Sequence, residues 1–194
     1  MVTTTRPRRT AALYGAVPLA LLLAGCGGGD DSAKPSAAPP VASTPAPATS
    51  SADPQTAEKT AVLAAFDAMW TERTKAYAKA DAKGTRLEKY ATLDALGRVR
   101  NDLARMKAAG TVVRGESRQE NATVTALDLT SKTPKATITT CVDLSSYEQY
   151  STQKKAVIPL PTNQPLRYAA GATLEKWPNG WMVTTYTPEG GRPC

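Results

Sequence analysis

The chain has 194 residues, with 24 Lys and Arg against 17 Asp and Glu, and no histidine. Without histidine, Ser-His-Asp and Cys-His catalysis and the usual histidine-bearing zinc sites are excluded, and any proton chemistry falls to Asp, Glu, Lys or Tyr. The formal charge of +7 drops to +4 once the three arginines near the start are set aside, and no run of five Lys or Arg occurs, so no nucleic-acid partner is expected.

Arg6, Arg8 and Arg9 precede an apolar run from Ala11 to Leu23. The run is shorter than the roughly 20 apolar residues a spanning helix needs and suits a cleavable export signal. Leu23-Ala24-Gly25-Cys26 follows, and this tetrapeptide resembles the lipobox of bacterial lipoproteins. Small residues at Ala24 and Gly25 let an extended backbone enter a peptidase cleft, and a thiol can accept a thioether-linked lipid. The resemblance implies a diacylglyceryl group on Cys26, cleavage between Gly25 and Cys26, and a protein anchored by lipid to the extracytoplasmic face of the cell membrane. Arg8-Arg9 also resembles a twin-arginine signal, and the general secretory route fits equally well.

From Gly27 to Thr56, 24 of 30 residues are Gly, Ala, Ser, Thr or Pro. Such a stretch buries too little apolar surface to offset its ordering entropy and reads as a disordered spacer. The expected layout is therefore a signal over 1–25, a lipidated cysteine and linker over 26–56, and a folded domain over 57–194.

Asp53-Pro54 suits a helix start. Val62, Leu63, Phe66, Met69, Trp70 and Tyr77 then recur at helical spacing, and Lys83-Gly84 marks the end. A second helical pattern runs through Leu87, Tyr90, Leu93, Leu96, Val99, Leu103 and Met106 to Gly110. Thereafter the period is two. Strands are expected over Thr111–Ser117, Thr123–Leu129, Ala136–Leu144, Leu166–Trp177 and Trp181–Tyr186, with a long polar loop over Ser145–Pro165 and a Pro178-Asn179-Gly180 turn.

Two helices followed by antiparallel strands predict an α+β domain, with the helices packed on one face of a curved sheet of about five strands. The order resembles the nuclear-transport-factor-2-like fold, a cone enclosing a pocket. Tyr90-Ala91-Thr92-Leu93-Asp94-Ala95-Leu96, Thr140-Cys141-Val142-Asp143 and Gly180-Trp181 with a terminal cysteine also look like pieces of secreted lipoproteins of high-GC Gram-positive bacteria.

With Cys26 assigned to lipid, Cys141 and Cys194 remain. In an oxidising compartment two such cysteines most often pair, although two reduced thiols are the alternative. A bridge would contribute about 4 kcal/mol by loop-closure entropy. No metal site is expected from two cysteines, and no cofactor is expected.

The remaining candidates are few. Asp143 on the third strand is a candidate general base, because the resemblance implies a pocket Asp in ketosteroid isomerases and polyketide cyclases. A strand-end Asp capping loop amides is its plainer role. Trp177 and Trp181 flank the turn as a possible aromatic clamp or a self-stabilising hairpin pair. Tyr147 and Tyr150 lie in the expected loop, as a cover for the cone or as simple packing. Glu72-Arg73 and the Arg98 to Arg105 cluster read as solvated helix faces. The functional expectation is a non-enzymatic module that binds a small molecule or docks on a membrane protein, with a ketosteroid-isomerase-like enzyme as the alternative.

Overall fold

The computed structural model describes residues 53–194. The expected signal 1–25, the lipidation site Cys26 with its cleavage point after Gly25, and the linker up to residue 52 lie outside the described residues. Among the described residues, no helix is long and apolar enough to cross a membrane.

Helix α1 spans Pro54–Tyr77. Asp53 caps it, its side chain accepting from the Gln55 amide at 3.1 Å, and Pro54 takes the first turn, where its missing N–H costs nothing. Pro54 to Thr56, expected as the end of the linker, are the first turn of this helix. Val62, Phe66 and Met69 are buried along one stripe. The helix stops at Tyr77, short of the expected Lys83-Gly84. A tertiary contact explains this: Glu72, buried on α1, accepts from the Arg86 amide at 2.9 Å and draws the following chain back along the helix.

The second expected helix is two. A single turn, α2 (Leu87–Tyr90), is separated from α3 (Leu93–Ala109) at Ala91 and Thr92. Ala91 is extended and fully buried against Val183, and the Thr92 amide donates to the Val183 carbonyl at 2.9 Å. Sheet pairing thus takes a backbone donor that helix continuation would have used. Helix α3 ends as expected at Gly110, whose φ of 61° is the left-handed cap that glycine adopts without strain.

Five strands follow: β1 (Thr111–Asp128), β2 (Lys135–Ser151), β3 (Ala156–Ile158), β4 (Arg167–Trp177) and β5 (Gly180–Glu189). They are antiparallel in the order β1-β2-β4-β5, with β3 pairing β2. The number matches the expectation but the membership does not. The first two expected strands are one long strand, β1, broken only by register shifts between Glu116 and Arg118, Glu120 and Thr123, and Val124 and Ala126. Bulges of this kind bend a strand and disturb its alternation, which is why its middle reads as a loop. Gly115 is required there: at φ +69° a Cβ would sit 1.8 Å from the Ser146 carbonyl oxygen. The expected 145–165 loop is largely structured too. β2 continues to Ser151 by pairing with Thr111–Glu116, and β3 lies on its other edge.

The helices cover one face of this curved sheet. Phe66 and Met69 of α1, Leu87 of α2, Ile138 and Val142 of β2, Leu174 of β4 and Val183 of β5 form the fully buried centre. Each such side chain contributes about 1.5–3 kcal/mol by leaving water. Cys141 and Cys194 form a disulfide with a Cα separation of 5.9 Å, linking the C-terminus to β2 across 53 positions. The tail also lies along β4, the Ala169 amide donating to the Arg192 carbonyl at 2.8 Å.

Candidate functional site

A pocket of about 350 Å³ opens between α1, α3 and the outer ends of β4 and β5. Helical spacing builds its first wall: Met69, Arg73 and Tyr77 are four residues apart on α1. Helix α3 supplies Ala95, Val99 and Asp102, four and then three residues apart, with Arg98 and Arg105 at the rim. Tyr168 of β4 and Tyr186 and Pro188 of β5 close the far side.

Arg73 is the unusual member. It occupies the inward stripe of α1, between Met69 or Trp70 and Tyr77. Its Cζ lies 4.5 Å from the Trp70 ring centroid, 4.9 Å from Tyr77 and 5.3 Å from Tyr186. The rings are themselves fixed. Trp70 Nε1 donates to the Ser117 carbonyl at 2.9 Å, Tyr186 meets Trp70 edge-on at 5.8 Å, and Tyr77 Oη donates to Asp102 Oδ2. Aromatic faces attract a guanidinium but accept no strong hydrogen bond from it. Arg73 Nη1 is buried and makes no hydrogen bond of good geometry, and neither does the buried Tyr186 Oη, although Arg73 and Tyr168 lie close enough to bear on the Tyr186 phenol.

The titrations of the phenols limit what the pocket can do. Burial pushes Tyr77 up to about 12, against the opposing pull of the Arg73 charge. Burial raises Tyr186 further in the same direction. Both are neutral donors at physiological pH and poor bases. The pocket's carboxylate, Asp102, is already engaged by Tyr77 and by Arg105. Among the described residues no three of Cys, Asp and Glu gather where they could hold a metal ion.

The sequence-derived candidates lie elsewhere. Asp143 does not line the pocket. Its Oδ1 accepts from the Ser145 amide at 2.7 Å and its Oδ2 faces Arg167 at 3.5 Å. The hydrogen bonding at Ser145 holds its carboxyl below the ordinary range, with Arg167 adding to the effect. A lowered pKa makes a weaker base, so the placement and the titration of Asp143 both fit the capping role.

The tryptophans form no clamp. Trp177 pairs with Gly180 and Lys176 with Trp181, so alternation along the strands sends Trp177 and Trp181 to opposite faces. Trp181 is buried and donates to Glu58 Oε2 at 2.8 Å, whereas Trp177 is 39% exposed. Tyr147 and Tyr150 belong to β2 and also alternate: Tyr147 packs against the core, and Tyr150 lies beneath the Arg114 guanidinium. Neither enters the pocket.

The sequence reading missed Arg73, Asp102 and Tyr186. Arg73 and Asp102 read as solvated charge, yet Phe66, Trp70, Arg73 and Tyr77 share one helical stripe. A cation in register with three core positions was the available signal. Tyr186 carried no such signal, because its place depends on how β5 crosses the helices.

No family model and no curated protein matches the chain. Among solved structures it is similar to the intermembrane space region of the chloroplast protein ARC6, with a TM-score of 0.47 and 13% identity over 70% of this chain and 95% of that one. The Kfla4162 protein from Kribbella flavida matches with a TM-score of 0.42 and 14% identity over 69% of this chain and 90% of the other. A candidate dehydratase of the nuclear-transport-factor-2-like family from Streptomyces avermitilis matches with a TM-score of 0.41 and 12% identity, over 72% and 98%. No activity passes from these to this chain.

Proposed function

We propose that residues 53–194 form a binding module of the nuclear-transport-factor-2-like cone type, held at the extracytoplasmic face of the cell membrane by lipid on Cys26. The module takes a small molecule into the α1–α3 pocket and does not transform it. One observation carries this reading: a half-buried arginine, Arg73, whose Nη1 is buried and unpartnered, lines a cavity whose carboxylate is already engaged. Recognition needs a fixed, desolvated donor, while turnover without histidine would need an available base.

Thermal unfolding of the mature lipoprotein against acidic, neutral and basic small molecules tests the pocket. A saturable rise in the midpoint is expected for one class, and it should vanish in Asn101→Trp, which places an indole at the exposed rim of the pocket. A midpoint that stays fixed for every probe, or a rise that Asn101→Trp leaves intact, counts against the reading. The tether has a separate test. Cys26→Ala should shift the protein from the membrane to the soluble fraction, and its retention after a salt wash would contradict the anchor.

A further inference from the structure

Among the described residues three buried side-chain polar atoms have no partner, and two of them, Arg73 Nη1 and Tyr186 Oη, belong to the pocket. Arg73 Nη1 only donates, whereas the Tyr186 hydroxyl can donate or accept, and Arg73 keeps its charge at any physiological pH because a guanidinium does not deprotonate. The Trp70, Tyr77 and Tyr186 ring centroids lie within 5.3 Å of the guanidinium carbon, and aromatic faces offer it no strong hydrogen-bond acceptor. A partner must therefore bring an acceptor to Arg73 Nη1, and an anionic acceptor gains most beside a desolvated positive charge.

From this we infer that the ligand is a small organic carboxylate with an apolar or aromatic body, its carboxylate accepting from Arg73 Nη1 and Tyr186 Oη. The inference rests on the pocket-binding reading above and names the ligand's chemistry. One buried cation matches one negative charge, so a phosphate dianion would be left undercompensated. Met69, Ala95, Val99 and Pro188 offer apolar wall for the body of the ligand. The volume of about 350 Å³ sits at the lower end of ligand pockets, roughly 300–1,000 Å³. A long acyl chain would have to emerge past Arg98 and Arg105 and expose its methylenes to water. Those two rim arginines are paired with Asp94 and Asp102, so Arg73 is the pocket arginine whose charge is left for an anion.

Calorimetric titration of the mature lipoprotein in a non-ionic detergent tests this with phenylacetate, phenylacetamide, phenethylamine, inorganic phosphate and palmitate. Phenylacetate should bind, phenylacetamide about 30-fold more weakly, and phenethylamine not measurably. Arg73→Met should abolish the preference for acid over amide without lowering the thermal midpoint. Tyr186→Phe, which keeps the ring, should weaken the acid about fivefold and the amide, whose neutral carbonyl accepts a weaker bond, about twofold. The Tyr186→Phe result decides the matter if Arg73→Met fails to fold. An amide that binds as tightly as the acid overturns the carboxylate inference and leaves the pocket reading standing. Failure of every probe to bind overturns both. Tighter binding of phosphate overturns the monoanion argument, and tighter binding of palmitate overturns the small-ligand argument in favour of a membrane lipid.

Discussion

Glu72 and Arg73 are neighbours on α1 with opposite surroundings. Glu72 is buried and fully engaged: Lys75 Nζ at 3.0 Å, the Arg86 amide at 2.9 Å and the Arg86 guanidinium at 3.6 Å all meet its carboxylate. Arg73, one step around the helix, is surrounded by aromatic rings and has a buried nitrogen with nothing to donate to. The first arrangement resembles a structural clamp, closing the chain from α1 to α2. The second resembles half of a recognition pair. A buried charge whose hydrogen bonds are complete stabilises the fold, whereas one whose hydrogen bonds are incomplete costs stability and points outward to a ligand.

The contrast can be broken at several points. The largest effect is expected from the Cys141–Cys194 bridge, which holds the tail beyond Pro188, the pocket's outer wall. Replacing both cysteines by serine should lower the unfolding free energy by about 4 kcal/mol in urea titrations, and it should loosen the pocket side rather than the clamp. An unchanged urea midpoint would mean the tail is held without the bridge.

Next comes the clamp. Glu72→Gln should cost about 2 kcal/mol at neutral pH, because it weakens charge-assisted bonds inside the protein. The Arg86 amide first, and Lys75 second, hold the Glu72 carboxyl below the usual carboxylate range. Its stabilisation is therefore complete above the unfolded glutamate pKa of about 4.3 and is lost as pH falls through the lower folded value. The gap between wild type and Glu72→Gln in urea should close on acidification. A gap that persists at low pH would remove the clamp.

Arg73→Met should move stability the other way, by about 1 kcal/mol upward in ligand-free protein, since it removes a charge without a full set of bonds. A clear loss of stability would make Arg73 a structural residue. The phenols around it give the pocket its own pH response. Tyr77, raised by burial to about 12, keeps its proton in the folded chain above the unfolded tyrosine pKa of about 10. Stability should thus fall as pH rises from about 10 through about 12, while tyrosinate absorbance shows a late-titrating class. The clamp fails in acid and the pocket in alkali. The smallest effect belongs to Lys75→Ala. Its side chain is 55% exposed, so solvent screens the pair and the loss should stay near 0.5 kcal/mol.

Much of the fold was legible because local rules and tertiary contacts agreed. The Asp53-Pro54 start, the Gly110 stop, the inward alternation of Ala136, Ile138, Thr140 and Val142, and the hairpin turn before Trp181 all follow from neighbouring residues. Where distant partners intervened, local reading failed. Val183 broke the second helix at Ala91, and Ser146 to Ser151 extended β2 through an expected loop. The candidate site was the least legible part. Trp177 and Trp181 were sent to opposite faces by a register that depends on turn length, and Asp143 was drawn to Ser145 and Arg167 at the sheet's edge.

Sequence by itself determined the α+β class, the exclusion of histidine chemistry and which two cysteines were left to pair once Cys26 was expected to carry lipid. These rest on composition, spacing and short motifs, which act within a few residues of the chain. Only the tertiary structure decided that Arg73 faces inward, that Asp102 is already engaged and that Tyr186 completes the pocket. The reason is physical. A charged residue on a helix is solvated unless other elements remove its water, and here a second helix and two strands from the far end of the chain do so.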